Sequence, residues 1–100
     1  MKNKIIFLSD MEYIIEDMRK DCIDVEEIQN LFTDYFYDFD YILGDYSYNK
    51  LRLKGFYDSK NKKAKSINNI KEYKKYIDSF CSPDCPYFLI KKKISIEKNK

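Results

Sequence analysis

Residues 40–58 read Asp-Tyr-Ile-Leu-Gly-Asp-Tyr-Ser-Tyr-Asn-Lys-Leu-Arg-Leu-Lys-Gly-Phe-Tyr-Asp, with apolar runs Tyr41 to Leu43 and Leu51 to Tyr57 flanking a polar and aromatic connection. This is the pattern of a β-hairpin. With the tip at Ser47 and Tyr48, Asp45 faces Lys50, Gly44 faces Leu51, Leu43 faces Arg52 and Ile42 faces Leu53. Strand side chains alternate between faces, so Ile42, Leu51, Leu53 and Tyr57 gather on one side, where Gly44 and Gly55 leave room. That side is expected to be core. The other carries Tyr41, Leu43, Asp45, Lys50, Arg52, Lys54 and Phe56, long cations interleaved with flat or branched apolar groups.

Two readings of the second face follow. As a binding surface, its rings stack on exposed bases while Lys and Arg meet phosphates. As a plain outer face, its cationic stems lie along Tyr41 and Phe56 with their heads in water. The first reading assigns partner or nucleic-acid binding to Tyr41, Lys50, Arg52, Lys54 and Phe56, with Tyr46 and Tyr48 at the turn. Lys62 and Lys63, from the Lys-rich loop 58–65, complete the set.

Gly44-Asp45-Tyr46, Tyr48 and Leu51-Arg52-Leu53-Lys54-Gly55-Phe56-Tyr57 together resemble the signature of the YutD-like family of small bacterial proteins. Cys81-Ser82-Pro83-Asp84-Cys85-Pro86-Tyr87-Phe88 resembles its second signature, and a weaker match runs from Tyr13 through Asp17. At the turn the family's Trp-Gly-Tyr-Gly is replaced by Tyr46-Ser47-Tyr48-Asn49. What the resemblance implies is a fold and a bacterial cytoplasmic setting, and no particular reaction.

A chain of 100 residues supports one modest core. A single α+β domain is expected over residues 1–96, with a basic tail at 97–100. No apolar run approaches a membrane span and no cleavable leader is recognisable, so a cytoplasmic protein without a membrane partner is expected. Charge is unevenly spread: residues 1–49 carry 4 basic and 12 acidic side chains, residues 50–100 carry 15 and 5, and the total is +2. So near-neutral a total argues against a dedicated duplex DNA binder. The asymmetry itself fits a basic surface for a polyanion such as RNA or a ribonucleoprotein, or pairing of an acidic helix with a basic surface on a protein partner or a second copy.

Lys4 to Leu8 and Met11 to Asp17, separated by Ser9-Asp10, read as a first hairpin, with a helix from Met11 to Lys20 as the alternative. Asp24 and Glu27 have capping-box spacing, and Val25, Ile28, Leu31, Phe32, Tyr35, Phe36 and Phe39 recur behind them, predicting a helix over 25–37 with an acidic outer face. Asn69 and Glu72 repeat the capping spacing before Ile70, Tyr73, Ile77 and Phe80, with Cys81 a further candidate, and Pro83 stops this second helix. Tyr87-Phe88-Leu89-Ile90 then reads as a largely buried strand. The expected order is ββαββαβ, a small mostly antiparallel sheet with both helices packed on one face. A ferredoxin-like split βαβ arrangement is the alternative.

Histidine is absent, which removes the usual general base near neutrality. Asp45 beside Lys50 and Arg52 reads as a structural ion pair, and no catalytic residue is assigned. Cys81 and Cys85 stand close enough for metal or redox chemistry. Tetrahedral zinc needs four ligands, however, and a disulfide across so short a segment is disfavoured in a reducing compartment. The default expectation is therefore one buried cysteine closing the second helix and one near a turn, with a reversible redox pair or four thiolates shared by a symmetric dimer as the alternatives, and no cofactor is expected.

Overall fold

The computed structural model describes residues 4–80 and 84–93. The basic tail at 97–100 and Cys81 lie outside the described residues. Strands β1 (Ile5–Leu8) and β2 (Met11–Arg19) form the first hairpin. The helical alternative for Met11 to Lys20 therefore gives way to strand. Helix α1 (Val25–Leu31) follows, then a 3-10 helix at Asp34–Asp38. Strands β3 (Tyr41–Ser47) and β4 (Lys50–Phe56) make the central hairpin. A short 3-10 turn, Ile70–Glu72, leads into α2 (Tyr73–Phe80), and β5 (Tyr87–Lys92) closes the fold.

All strand pairings are antiparallel, in the spatial order β1-β2-β5-β3-β4. The last strand is thus inserted at the centre of the sheet, an α+β arrangement distinct from the ferredoxin-like alternative. Tyr87, Phe88, Leu89 and Ile90 are all buried, as a strand covered on both faces requires.

The central hairpin differs from expectation by one step at its tip. Tyr48 and Asn49 form the turn with φ of 52° and 64°, Ser47 pairs with Lys50, and Asp45 pairs with Arg52 rather than Lys50. A two-residue turn that matches strand twist needs positive φ at both central positions, which Asn49 adopts readily and Ser47 would not. Pairing moves by two residues, so every side chain keeps the face assigned to it.

On the first face, Leu8, Tyr13, Ile28, Phe32, Phe36, Phe39, Ile42, Leu51, Tyr57, Phe88 and Ile90 form one core under α1 and the 3-10 helix. The glycines are open sockets for rings. A Cβ on Gly44 would stand 2.1 Å from the Phe88 ring, and one on Gly55 would stand 2.3 Å from the Phe39 ring. The Asp24 side chain caps α1 by accepting from the Glu27 amide at 3.2 Å. Helix α1 is shorter than the 25–37 expected, because the chain turns extended at Phe32 and Thr33 before the 3-10 helix. The break lets Phe32, Phe36 and Phe39 all reach the sheet.

On the opposite face, Leu43, Phe56, Tyr87 and Leu89 are buried together with Ile77 of α2. The two helices therefore cover opposite faces, which corrects the expectation that both pack on one. The physical reason is that Leu43, Phe56 and Leu89 point away from α1 and need their own cover.

Candidate functional site

The apolar residues of the hairpin's cationic face, Leu43 and Phe56, lie under α2, while Lys50 is exposed and Arg52 and Lys54 are half-buried. Phe56 is fully buried and Leu43 is 1% exposed, so the expectation of an open stacking face is corrected. Asp45 is 2% exposed, yet its carboxylate is matched: Arg52 Nε donates to Oδ1 at 2.9 Å and Nη2 to Oδ2 at 3.2 Å. The same Nη2 donates to the Phe80 carbonyl oxygen at 3.2 Å, closing the last turn of α2. Hydrogen bonding to Asp45 raises the Arg52 pKa, and the fork geometry suits a planar guanidinium.

A second latch joins β2 and β5 to α2. The register shift between Ile15 and Asp17 breaks the alternation of β2 at Glu16 and turns Asp17 toward the α2 face. There its Oδ2 accepts from the Tyr73 hydroxyl at 2.8 Å and the Tyr87 hydroxyl at 2.9 Å. Burial disfavours the charge on Asp17, but the two hydroxyls and the Lys74 ammonium outweigh it and hold the pKa below its ordinary value. Arg19 stacks over the Tyr87 ring at 4.9 Å and donates to the Cys85 carbonyl at 2.9 Å.

Beside α2 these contacts leave a groove of about 640 Å³ between the helix, β4 and residues 66–67. Tyr76 makes its floor with the fully buried Phe56 ring behind it, and the Lys54 ammonium sits 5.1 Å from the Phe56 ring centroid and 5.5 Å from that of Tyr76. Burial pushes the Lys54 pKa below its ordinary value, since its charge is held over rings rather than in bulk water. Lys75 and Glu72 add charge to the wall. Ile67 and Phe80, 70% and 60% exposed, stand as apolar posts at the rim. An aromatic floor, exposed apolar posts and two lysines suit a ligand with an apolar side chain next to a carboxylate.

The remaining residues singled out in the sequence scatter. Tyr41 is half-buried against the α2 core, with the Lys91 ammonium 5.7 Å from its ring. Tyr46 points to the opposite face, where its hydroxyl donates to Glu27 Oε1 at 2.9 Å; burial first, then this bond, pushes its pKa up to about 12. Tyr48 is 97% exposed at the hairpin tip. Lys50 and Lys62 are exposed, and Lys63 pairs with Asp38 at 2.8 Å. Of the nine, the fold brings Lys54 and Phe56 to the groove, while Arg52 touches the Phe80 carbonyl beside it. Sequence reasoning missed Tyr76, Ile67 and the exposure of Phe80; the signal available was that Tyr76 precedes Phe80 by one helical turn, a spacing that puts both on one side.

Cys85 is disulfide-bonded, contrary to the expectation of a packing cysteine, while Cys22 is a free thiol. The positive φ of Asp84 reverses the chain just before Cys85. Among the described residues no group of three or more carboxylates and thiols is placed to hold a metal ion. None of the helices described is long and apolar enough to cross a membrane.

The family model described as "Putative antitoxin YutD-like" matches residues 7–91. Over 88 residues the chain is 34% identical to the Bacillus subtilis (strain 168) protein named "Putative antitoxin YutD", a match covering 88% of this chain and 97% of that relative. The solution NMR structure of protein yutD from B. subtilis superimposes with a TM-score of 0.74 at 33% identity, covering 90% of this chain and 82% of that one.

Proposed function

The chain belongs to the YutD-like family, and we propose that it is a binding module of antitoxin type whose ligand is another protein. The observation that carries this reading is the groove beside α2, where Ile67 and Phe80 stay exposed at the rim of an aromatic floor. Exposed apolar side chains around a concave surface are the usual mark of a protein-recognition site. Lys54 and Lys75 select for an acidic residue next to the partner's apolar anchor, and a desolvated Lys54 makes that choice steeper than a solvated one would. The name of the B. subtilis relative, "Putative antitoxin YutD", supports a protein partner.

A protein ligand fits this surface better than RNA. Base stacking along the hairpin would need Tyr41 and Phe56 free, and both are packed under or beside α2. Incorporating a photoreactive amino acid at Ile67 in the producing cell, with Glu26 on α1 as control, tests the proposal. The expected result is one cross-linked protein at position 67, lost when Lys54 and Lys75 are both changed to Glu. Equal cross-linking at 26 and 67, or a product that nuclease removes, would overturn it.

A further inference from the structure

The two edges of the sheet are protected differently. Edge strand β4 carries Lys50, Arg52 and Lys54, and beyond its end Tyr57 exchanges backbone hydrogen bonds with Asn68 and Ile70. Cations and a covering segment are what keep a sheet edge from pairing with another chain. Among the described residues, edge strand β1 has neither along Ile5–Leu8. Its sequence there is Ile-Ile-Phe-Leu, Ile5 and Phe7 are 46% and 57% exposed, and among the described residues no strand pairs with its outer side.

The hydrogen-bond pattern shows which groups the edge offers. Ile15 donates to the Lys4 carbonyl at 2.9 Å, and Ile5 lies opposite Ile14 and Phe7 opposite Glu12. In an antiparallel ladder bonded and non-bonded pairs alternate, so Lys4, Ile6 and Leu8 bond inward to β2. Ile5 and Phe7 therefore aim both their amide and their carbonyl outward.

We propose that this edge pairs with the same edge of a second copy, joining two five-stranded sheets across a two-fold axis at Ile6. In that register Ile5 of each chain lies opposite Phe7 of the other, and their outward amides and carbonyls exchange bonds. The two apolar side chains meet on the open half of the α2 face, an aromatic and β-branched cross-strand pair. Lys4 of one chain lies opposite Leu8 of the other, next to the turn that carries Asp10, so a cation and an acid approach each other twice across the axis. Sliding toward the turn would set Ile5 against Ser9, whose amide is already committed to Gln29 Oε1 at 2.6 Å. The pairing is isologous and self-limiting, since it uses each copy's only such edge among the described residues. This inference is independent of the groove.

Sedimentation of the full chain from micromolar to millimolar concentration tests it. A monomer–dimer equilibrium is expected, and Phe7→Lys, at an exposed position, shifts its midpoint upward by roughly tenfold or more with unchanged circular dichroism. A wild-type monomer throughout, or dimerisation unaffected by Phe7→Lys, would overturn the proposal. The register has its own test: Ile5→Cys and Phe7→Cys variants oxidised as a mixture should yield a cross-linked dimer well above either variant alone or the wild type. Cross-linking no greater in the mixture than in the separate variants would overturn the two-fold pairing.

Discussion

The α1 face and the α2 face of this sheet are built from the same strands by different chemistry. Beneath α1, Tyr13, Phe32, Phe36 and Phe39 pack ring against ring, and glycines in β3 and β4 make the space for the Phe88 and Phe39 rings. Among the described residues the Tyr13 hydroxyl, buried on that face, has no hydrogen-bond partner, and burial pushes its pKa up to about 12. Beneath α2, the Asp45–Arg52 pair and the Asp17–Tyr73–Tyr87 cluster run through a thinner apolar layer. Ring packing is strong and tolerant of solvent conditions. Matched polar groups instead hold α2 in one place while its flank stays open, which is what a recognition groove requires.

If the α1 face depends on close fit, the largest loss comes from filling a socket. Gly44→Ala forces the Phe88 ring out of its place and should cost about 3 kcal/mol, the upper end for overpacking. Urea unfolding measures it, and a loss no greater than at an exposed site would mean the ring shifts freely. On the α2 face, Arg52→Ala strands Asp45 without its partner. Arg52 is 41% exposed, so the penalty for a broken buried pair is discounted to about 2 kcal/mol. The sharper sign is local: hydrogen exchange at the C-terminal turn of α2 should quicken more than exchange in α1.

The smallest effect separates the faces by pH. The Asp17 pKa is depressed in the native protein, so its stabilisation is full above the unfolded carboxylate's pKa and is lost as pH falls through the native one. Tyr73→Phe removes one of the two donors and should cost about 1 kcal/mol at neutral pH, shrinking as pH is lowered below the ordinary carboxylate range. Unfolding titrations across that window decide it. A penalty constant with pH would make the contact one of packing rather than charge.

Much of the α1 face was legible in the residues. Of the helical recurrence from Val25, Ile28, Phe32, Phe36 and Phe39 are inside while Val25, Leu31 and Tyr35 are exposed; Asp24 caps α1 as its spacing suggests, and Ile42, Leu51 and Tyr57 are buried with Leu53 partly buried against them. The α2 face was not, because Lys and Arg on a strand read as solvent-facing whether or not a helix lies over them. The consecutive run Tyr87 to Ile90 was the signal that the sheet must be covered on both sides, and it weighs against placing both helices together. The groove was legible only in part: Lys54 and Phe56 stand out in the hairpin, whereas Tyr76 and Ile67 reach it from elements distant in the chain.

By itself the sequence determined the central hairpin and the side of it that each residue occupies, and the places where the two helices begin, since alternation and capping are local properties of the backbone. Only the tertiary structure decided that β5 enters the middle of the sheet and that α2 closes over the apolar residues of the cationic face. Those outcomes depend on which apolar surfaces are left uncovered once the other elements have paired, and no short stretch of chain carries that information.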